Sequence, residues 1–273
     1  MPLVSVVVPT HNRRELLGLA LASVRAQTFT DYEIIVISNG EADIVRAASA
    51  ATADRHRARY FELREANVSV ARNFGIARAT GEWIAFLDDD DLWLPEKLAR
   101  QVAAARASGA DLIACDCIEF HPDGREILRR KRPPAGWSHL KAICHEKWIA
   151  LPSTVLVRKP AIAAAGGFDP DLRACEDGDM WRRIAWRHAI HEVDAPLVRY
   201  RRHAGAVSED RRKMRRSDLH HAVKMLRDTP RELRGAVPSP LSVLRKVALR
   251  SLMPGFLRQP RKALAARLML RRP

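Results

Sequence analysis

Ile84-Ala85-Phe86-Leu87-Asp88-Asp89-Asp90-Asp91 runs four strand-like apolar residues straight into four carboxylates. Like charges packed this closely disfavour one another's ionised form unless a cation offsets them. Hard divalent ions such as Mg²⁺ or Mn²⁺ take carboxylate oxygens together with substrate phosphates, so the cluster reads as a cation site beside a phosphate. The plainer alternative is a solvated acidic turn in which Asp91 N-caps the segment that begins near Pro95.

Outward from this stretch, the first 120 residues alternate between two periodicities. Val4–Val8, Glu33–Ile37, Arg59–Leu63, Trp83–Leu87 and Leu112–Ile118 are short runs rich in β-branched and aromatic residues and predict strands. Glu15–Ala26, Ala42–Ala53, Val70–Ala79 and Glu96–Ala107 space their apolar residues by three and four and predict helices. Such a βαβα succession implies an α/β fold with a mostly parallel sheet, and ligands beyond the carboxyl ends of its strands. Past Phe120 the order changes. His121–Pro134 is polar, with a Pro-Asp-Gly turn, and predicts a hairpin or an excursion over the sheet. Residues 151–158 predict another strand, Asp177–Arg187 a helix, and Ile190–Val193 and Leu197–Arg202 two short returning strands; Gly205–Ser208 is expected to end the compact domain.

The chain has 273 residues, 47% of them apolar, enough for a sizeable core and an appendage. Its formal charge of +15 is uneven: residues 209–273 hold 18 Lys/Arg against 5 Asp/Glu, a net of +13, while residues 1–208 carry a net of only +2. Two domains are therefore expected, 1–208 the main body, divided near residue 120 where the order of elements changes, and 209–273 a basic helical extension. No run of about 18 apolar residues predicts a spanning helix. The N-terminus enters a strand at Leu3 without a basic n-region or an apolar h-region, so secretion is not expected. Cys115, Cys117, Cys144 and Cys175 form no CxxC pair and read as buried reduced thiols rather than a zinc site.

Two polar strand tips fall where a doubly wound sheet binds a nucleotide, Pro9-Thr10-His11-Asn12-Arg13 and Ser38-Asn39-Gly40. Each alone also suits an ordinary βα turn. Taken in order, however, Val4–Arg13, Ala71–Asp91, Gly166-Gly167-Phe168-Asp169 and Glu176-Asp177-Gly178-Asp179 strongly resemble glycosyltransferase family 2, over about residues 3–205. The resemblance implies a GT-A fold, a nucleotide-diphospho-sugar donor, Mn²⁺ or Mg²⁺, and inversion at the anomeric carbon.

It also implies roles. Asp88, Asp90 and Asp91 match the family's Asp-x-Asp-Asp signature, with Asp89 at its variable position. Asp90 and Asp91 would hold the metal, and Asp88 and Asp89 would lie on the donor. Arg72 matches a basic position that contacts the diphosphate or braces the acidic cluster. Pro9, Thr10, Asn12 and Arg13 match the first nucleotide-contacting loop. Ser38-Asn39-Gly40 departs from the Asp-Asp-Gly of many relatives, so a uracil base is not implied. Glu176-Asp177 matches the family's Glu-Asp pair, with Asp177 as general base; the alternative is that these acids only complement a helix dipole. His203 follows the last core strand and is a candidate metal ligand. Trp148, Pro152, Ser153 and Thr154 would form the acceptor-side wall, although Trp148 also suits a core position.

In the basic tail, Leu241, Leu244, Val247, Ala248 and Leu252 would share one helical stripe opposite Lys246 and Arg250. With the cluster at 211–216, this suits an anionic membrane surface; packing on protein is the alternative. The tail has no Trp or Tyr for base stacking, and nucleic acid is not expected as a partner. These readings together predict a cytoplasmic, peripherally attached glycosyltransferase acting on a saccharide or lipid-linked saccharide in lipopolysaccharide, capsule or exopolysaccharide assembly. A sugar-phosphate nucleotidyltransferase would want a Gly-rich loop after the first strand, where this chain has Pro-Thr-His-Asn-Arg. An adaptor that keeps the fold without catalysis is the other alternative.

Overall fold

The computed structural model describes residues 1–40, 42–130, 132–148, 150–203, 211–243 and 245. The strand β1 (Val4–Thr10) is buried along its whole length, as a Val-rich strand covered on both faces should be. It pairs in parallel with β2 (Tyr32–Asn39) and β4 (Trp83–Phe86), and β2 pairs in parallel with β3 (Arg59–Leu63). The crossovers are α1 (Arg14–Arg25), α2 (Asp43–Arg55) and α3 (Val68–Arg78). Successive β1 side chains serve opposite cores: Val4, Val6 and Val8 join Leu17 and Leu21, while Val7 joins Ile84, Phe86 and Trp181. α3 rides close over the sheet because residue 75 is glycine. A Cβ there would stand 2.5 Å from Val7 Cγ1 and 2.8 Å from Ile37 Cδ1.

Past the acidic segment come β5 (Leu92–Trp93), α4 (Lys97–Ser108), β6 (Leu112–Phe120) and β7 (Glu126–Arg129). β7 folds back on β6 about the Pro-Asp-Gly turn, giving the expected hairpin. Then follow α5 (His139–Cys144), β8 (Val155–Arg158), α6 (Lys159–Ala164), α7 (Glu176–Ile184), β9 (Ile190–Arg201) and α8 (Arg211–Asp228). Sheet order is β3-β2-β1-β4-β8-β6-β9-β5, with β7 on β6.

The α/β class holds, but the parallel character belongs to β3-β2-β1-β4 and to the β6–β9 pair, since β8 runs antiparallel to both β4 and β6. Three expectations change in the second half. The strand expected over 151–158 starts only at Val155, because Pro152 opens a 3-10 turn over Pro152–Thr154. The two short strands expected after residue 190 are one, with a register shift where Pro196 faces Asp116. A proline lacks the N–H a regular ladder would use there. The compact unit also continues to Val237 rather than ending near 208, with Ser217, Ala222, Met225 and Thr229 buried. The proposed boundary at Gly205–Ser208 and the stripe residues Leu244, Val247, Ala248 and Leu252 lie outside the described residues. Cys115 and Cys117 share one face and one core cluster, and all four cysteines are free thiols. Among the described residues no helix is long and apolar enough to cross a membrane.

Candidate active site

The carboxyl ends of β1, β2 and β4 open on a cleft of about 410 Å³. Of the residues singled out in the sequence, Pro9, Thr10, Arg13, Asn39, Arg72, Asp88, Asp89, Asp90 and Glu176 line it. Its floor is tied together by strand-tip contacts. Asn39 Nδ2 donates to the Thr10 carbonyl at 2.8 Å, and His11 Nδ1 lies 2.6 Å from the Asn39 carbonyl, which requires the proton on Nδ1. Thr10 Oγ1 donates to Asp89 at 2.8 Å, so the β1 tip grips the acidic segment. Ser38 is fully buried and Asn12 is exposed; neither lines the cleft, leaving Asn39 as the β2 residue that does.

The four aspartates divide by direction. Arg13 reaches Asp89 at 3.1 Å and Asp90 at 2.6 Å, and His203 Nε2 lies 3.0 Å from the same Asp90 oxygen. Burial, with Asp90 next, pushes Asp89 up to about 6 against the opposing pull of Arg13. Asp91, expected beside Asp90 as a metal ligand, turns inward instead. It is fully buried and accepts from Ser153 Oγ at 2.6 Å and from the Arg201 amide at 3.0 Å. Ser153 Oγ also accepts from the Asp88 amide, and Arg201 Nε donates to the Asp90 carbonyl, so Asp91 and its partners set the shape of the loop. Burial first, then Asp90 and Asp88, raises the Asp91 carboxyl well above the usual range.

The acceptor-side expectations are corrected in the same region. Ser153 and Thr154 are wholly buried, and Thr154 Oγ1 is spent on the Leu151 carbonyl. Trp148 packs inside the core against His139. These residues support the acidic loop and the sheet from behind.

Arg72 joins the two acidic groups of the site. Its guanidinium is 3% exposed, donates to Asp88 and to Glu176 at 2.7 Å each, and lies over the Phe168 ring. These two ion pairs tie Asp88 to Glu176, and Arg72 also lines the cleft. Desolvation opposes its charge, but Asp88 and Glu176 more than offset this and hold it protonated. Phe168 is placed by Asn73 on α3, whose amide donates to the Phe168 carbonyl at 2.7 Å and accepts from its N–H at 2.8 Å. Gly167 precedes it at φ +75 with Asn73 Oδ1 2.8 Å from where a Cβ would stand, so a side chain there would be both strained and obstructed. Beside Glu176, in the first turn of α7, Asp177 is half-buried. Burial and then the Glu176 carboxylate push it up to about 7.

Sequence reading included His11 only as part of the first strand tip and missed Asn67, Arg173 and Tyr200 as lining residues. Only Asn67 left a local signal: it N-caps α3, accepting from Ser69 and Val70 amides, the pattern expected of Asn before a helix.

Among the described residues no group of three or more His, Cys, Asp or Glu side chains stands ready to hold a metal ion. Asp90 and His203 do converge. Such a pair fits a hard cation that takes one or two protein ligands and completes its shell with phosphate and water.

The cleft lies beyond the carboxyl ends of the parallel strands, where an open α/β sheet takes its ligands. The glycosyl transferase family 2 model matches residues 5–163, and the chain belongs to that family. An uncharacterized glycosyltransferase of Rickettsia felis is 26% identical over 208 residues, covering 74% of this chain and 35% of the relative. The succinoglycan biosynthesis protein ExoO of Rhizobium meliloti is 35% identical over 128 residues, 46% of this chain and 36% of that one. The chain thus spans about a third of the length of these two relatives. Among solved structures, S. aureus TarS residues 1–349 in complex with UDP-GlcNAc shares the fold at a TM-score of 0.68 and 17% identity, over 92% of this chain and 72% of that 1–349 chain. The mannosyltransferase PcManGT of Pyrobaculum calidifontis, in complex with GDP-Man and Mn²⁺, does so at 0.64 and 20%, over 98% and 80%.

Proposed function

We propose that this chain is an inverting glycosyltransferase that moves a sugar from a nucleotide-diphospho-sugar to a hydroxyl of a saccharide or lipid-linked saccharide in surface-glycan assembly. One observation carries the reading. A carboxyl raised to about 7, Asp177, stands next to Glu176 at the start of α7, and the buried Arg72 links Glu176 to Asp88 of the acidic segment that lines the cleft.

A single displacement needs a base on the acceptor side and a stabilised leaving group on the other. Asp177 takes the acceptor hydroxyl proton, the acceptor oxygen bonds to the anomeric carbon, and the bond from that carbon to the diphosphate oxygen breaks with its electron pair. A carboxyl near 7 is ionised in useful amount at neutral pH and is a stronger base than an ordinary aspartate. Arg13, Arg173 and Arg201 line the cleft and supply positive charge for the diphosphate. Asn39 lines the same cleft and would contact the nucleotide, and Asp88 would contact the ribose or sugar side of the donor. Asp90 and His203 would hold Mn²⁺ or Mg²⁺, which when bound neutralises charge on the departing diphosphate. The GDP-Man and Mn²⁺ in PcManGT and the UDP-GlcNAc in TarS support this donor class while leaving the base open. The likeness to ExoO supports the surface-glycan role. The +13 of residues 209–273 supports peripheral attachment to an anionic, cytoplasm-facing membrane, which salt should weaken in vesicle sedimentation.

The test is thermal stability of the purified chain against UDP, GDP, CDP and dTDP, each with and without Mn²⁺, since a ligand of the native state raises its melting temperature. A metal-dependent rise with one diphosphate is expected. No rise with any, in folded protein, would favour a non-catalytic adaptor.

A further inference from the structure

α8 meets the catalytic helix at successive levels. Cys175, the N-cap of α7, donates its Sγ–H to Asp218 at 3.5 Å. Further along, His221 covers Gly178, its Cε1 3.9 Å from where a Cβ would stand. Lys224 Nζ donates to Asp179 Oδ2 at 3.0 Å and pairs with Asp169 as well. Just past the helix, Thr229 Oγ1 accepts from Arg182 at 3.2 Å. Positions 218, 221 and 224 recur at the three-residue interval that keeps side chains on one helix face.

We propose that α8 is a strap that positions the catalytic base, with Lys224 as the positioning residue; this rests on the reading of Asp177 given above. Arg72 on α3 holds Glu176 at the start of α7. Asn73, the next residue of α3, holds Phe168. Lys224 then bridges Asp169, the neighbour of Phe168, to Asp179 in the first turn of α7. Arg183 ties α7 directly to the Gly167 carbonyl, and Lys224 adds a second tie that runs through α8 to both Asp169 and Asp179, with Asp177 on the arc between Glu176 and Asp179. Arg182 and Arg183 neutralise Asp179 from within α7 and remain when Lys224 is replaced, so its loss should loosen the helix start without leaving a bare buried charge.

The experiment compares wild type, Lys224→Met, which keeps the aliphatic stem, and Lys224→Arg, which keeps the charge. Donor-dependent transfer and hydrogen exchange of the α7 amides are measured in each. Lys224→Met should lower kcat by about 10- to 100-fold, the scale of an ångström-level displacement of a reacting group. Its donor KM should stay within about twofold, marking a loss confined to the chemical step. α7 amides should exchange faster while α3 amides do not, and Lys224→Arg should restore both readouts. Wild-type kcat and α7 exchange in Lys224→Met would overturn the proposal, as would equal loss of donor binding or failure of Lys224→Arg to rescue. Faster α7 exchange in Lys224→Met, in a protein whose wild type transfers no sugar, would support the strap and count against the glycosyltransferase reading alone.

Discussion

Asp177 and Asp179 sit two residues apart in the first turn of one helix, yet their carboxyls are driven in opposite directions. Asp177 is pushed up to about 7 by burial and by the neighbouring Glu176, with only partial relief from the Gly178 amide and Arg72. Asp179 is more deeply buried, which alone would raise it, but Arg183, Arg182 and Lys224 surround it and bring it down to about 2. A helix start favours acids of either kind through its dipole. What separates the two carboxyls is the charge each one faces: Arg182 and Arg183, three and four residues along α7, flank Asp179 with Lys224 added from α8, while Asp177 faces Glu176.

The largest expected effect comes from removing the proposed base. Asp177→Asn should lower kcat by about 10²–10⁴-fold, the usual worth of a positioned proton acceptor. Its melting temperature should hold or rise. A carboxyl whose folded pKa lies above its unfolded value binds more protons when folded, so above the unfolded pKa it lowers stability as pH climbs toward 7, and Asn removes that burden. Turnover at the wild-type level would take Asp177 out of the mechanism.

Asp179→Asn should do the reverse, costing about 3 kcal/mol of stability in chemical denaturation because Arg182 is left buried with its charge unmatched. The sign in pH is also opposite. A depressed pKa contributes stability that is present above the unfolded pKa and is lost as pH falls toward about 2. The wild-type advantage over Asp179→Asn should therefore shrink in acid. A variant as stable as wild type at pH 7 would show that the cation cluster anchors nothing.

How much of this was legible in the sequence follows the same division. Strands β1 to β4 and their crossover helices lie within a few residues of their predicted spans, because period-2 and period-3.6 patterns are local. The tips at Thr10–Arg13 and Asn39 and the acidic segment were readable for the same reason, since each sits directly after a buried strand. Long-range partnerships left no such trace. Nothing near Asp91 announces that Ser153, 62 residues away, will turn it inward, and nothing near Arg72 announces Glu176, 104 residues on. Trp148 and Thr154 carry the residue types of a sugar-binding wall and are used as core. The basic sequence that opens α8 suggested an independent tail, whereas Lys224 and Thr229 face charges in the catalytic half.

The pH dependence sharpens the comparison further. With Asp177 as base, kcat/KM should fall about tenfold per unit of pH below a limb near 7, and Asp179→Asn should leave that limb nearly in place. A limb near 4 would mean that Asp177 titrates as an ordinary aspartate. The smallest expected effect is Asn67→Ala, which removes the α3 cap and should cost about 1 kcal/mol in thermal or urea unfolding with little change in the chemistry. A much larger loss of donor binding would instead give Asn67, which lines the cleft, a direct role.

The contrast between base and anchor is tested most directly by carboxyl-detected NMR titration of ¹³C-aspartate-labelled protein, with Asp177→Asn and Asp179→Asn used for assignment. The Asp177 carboxyl should titrate near 7, while Asp179 should remain ionised down to about 2 or to acid unfolding, whichever comes first. Both carboxyls titrating together near 4 would contradict that contrast.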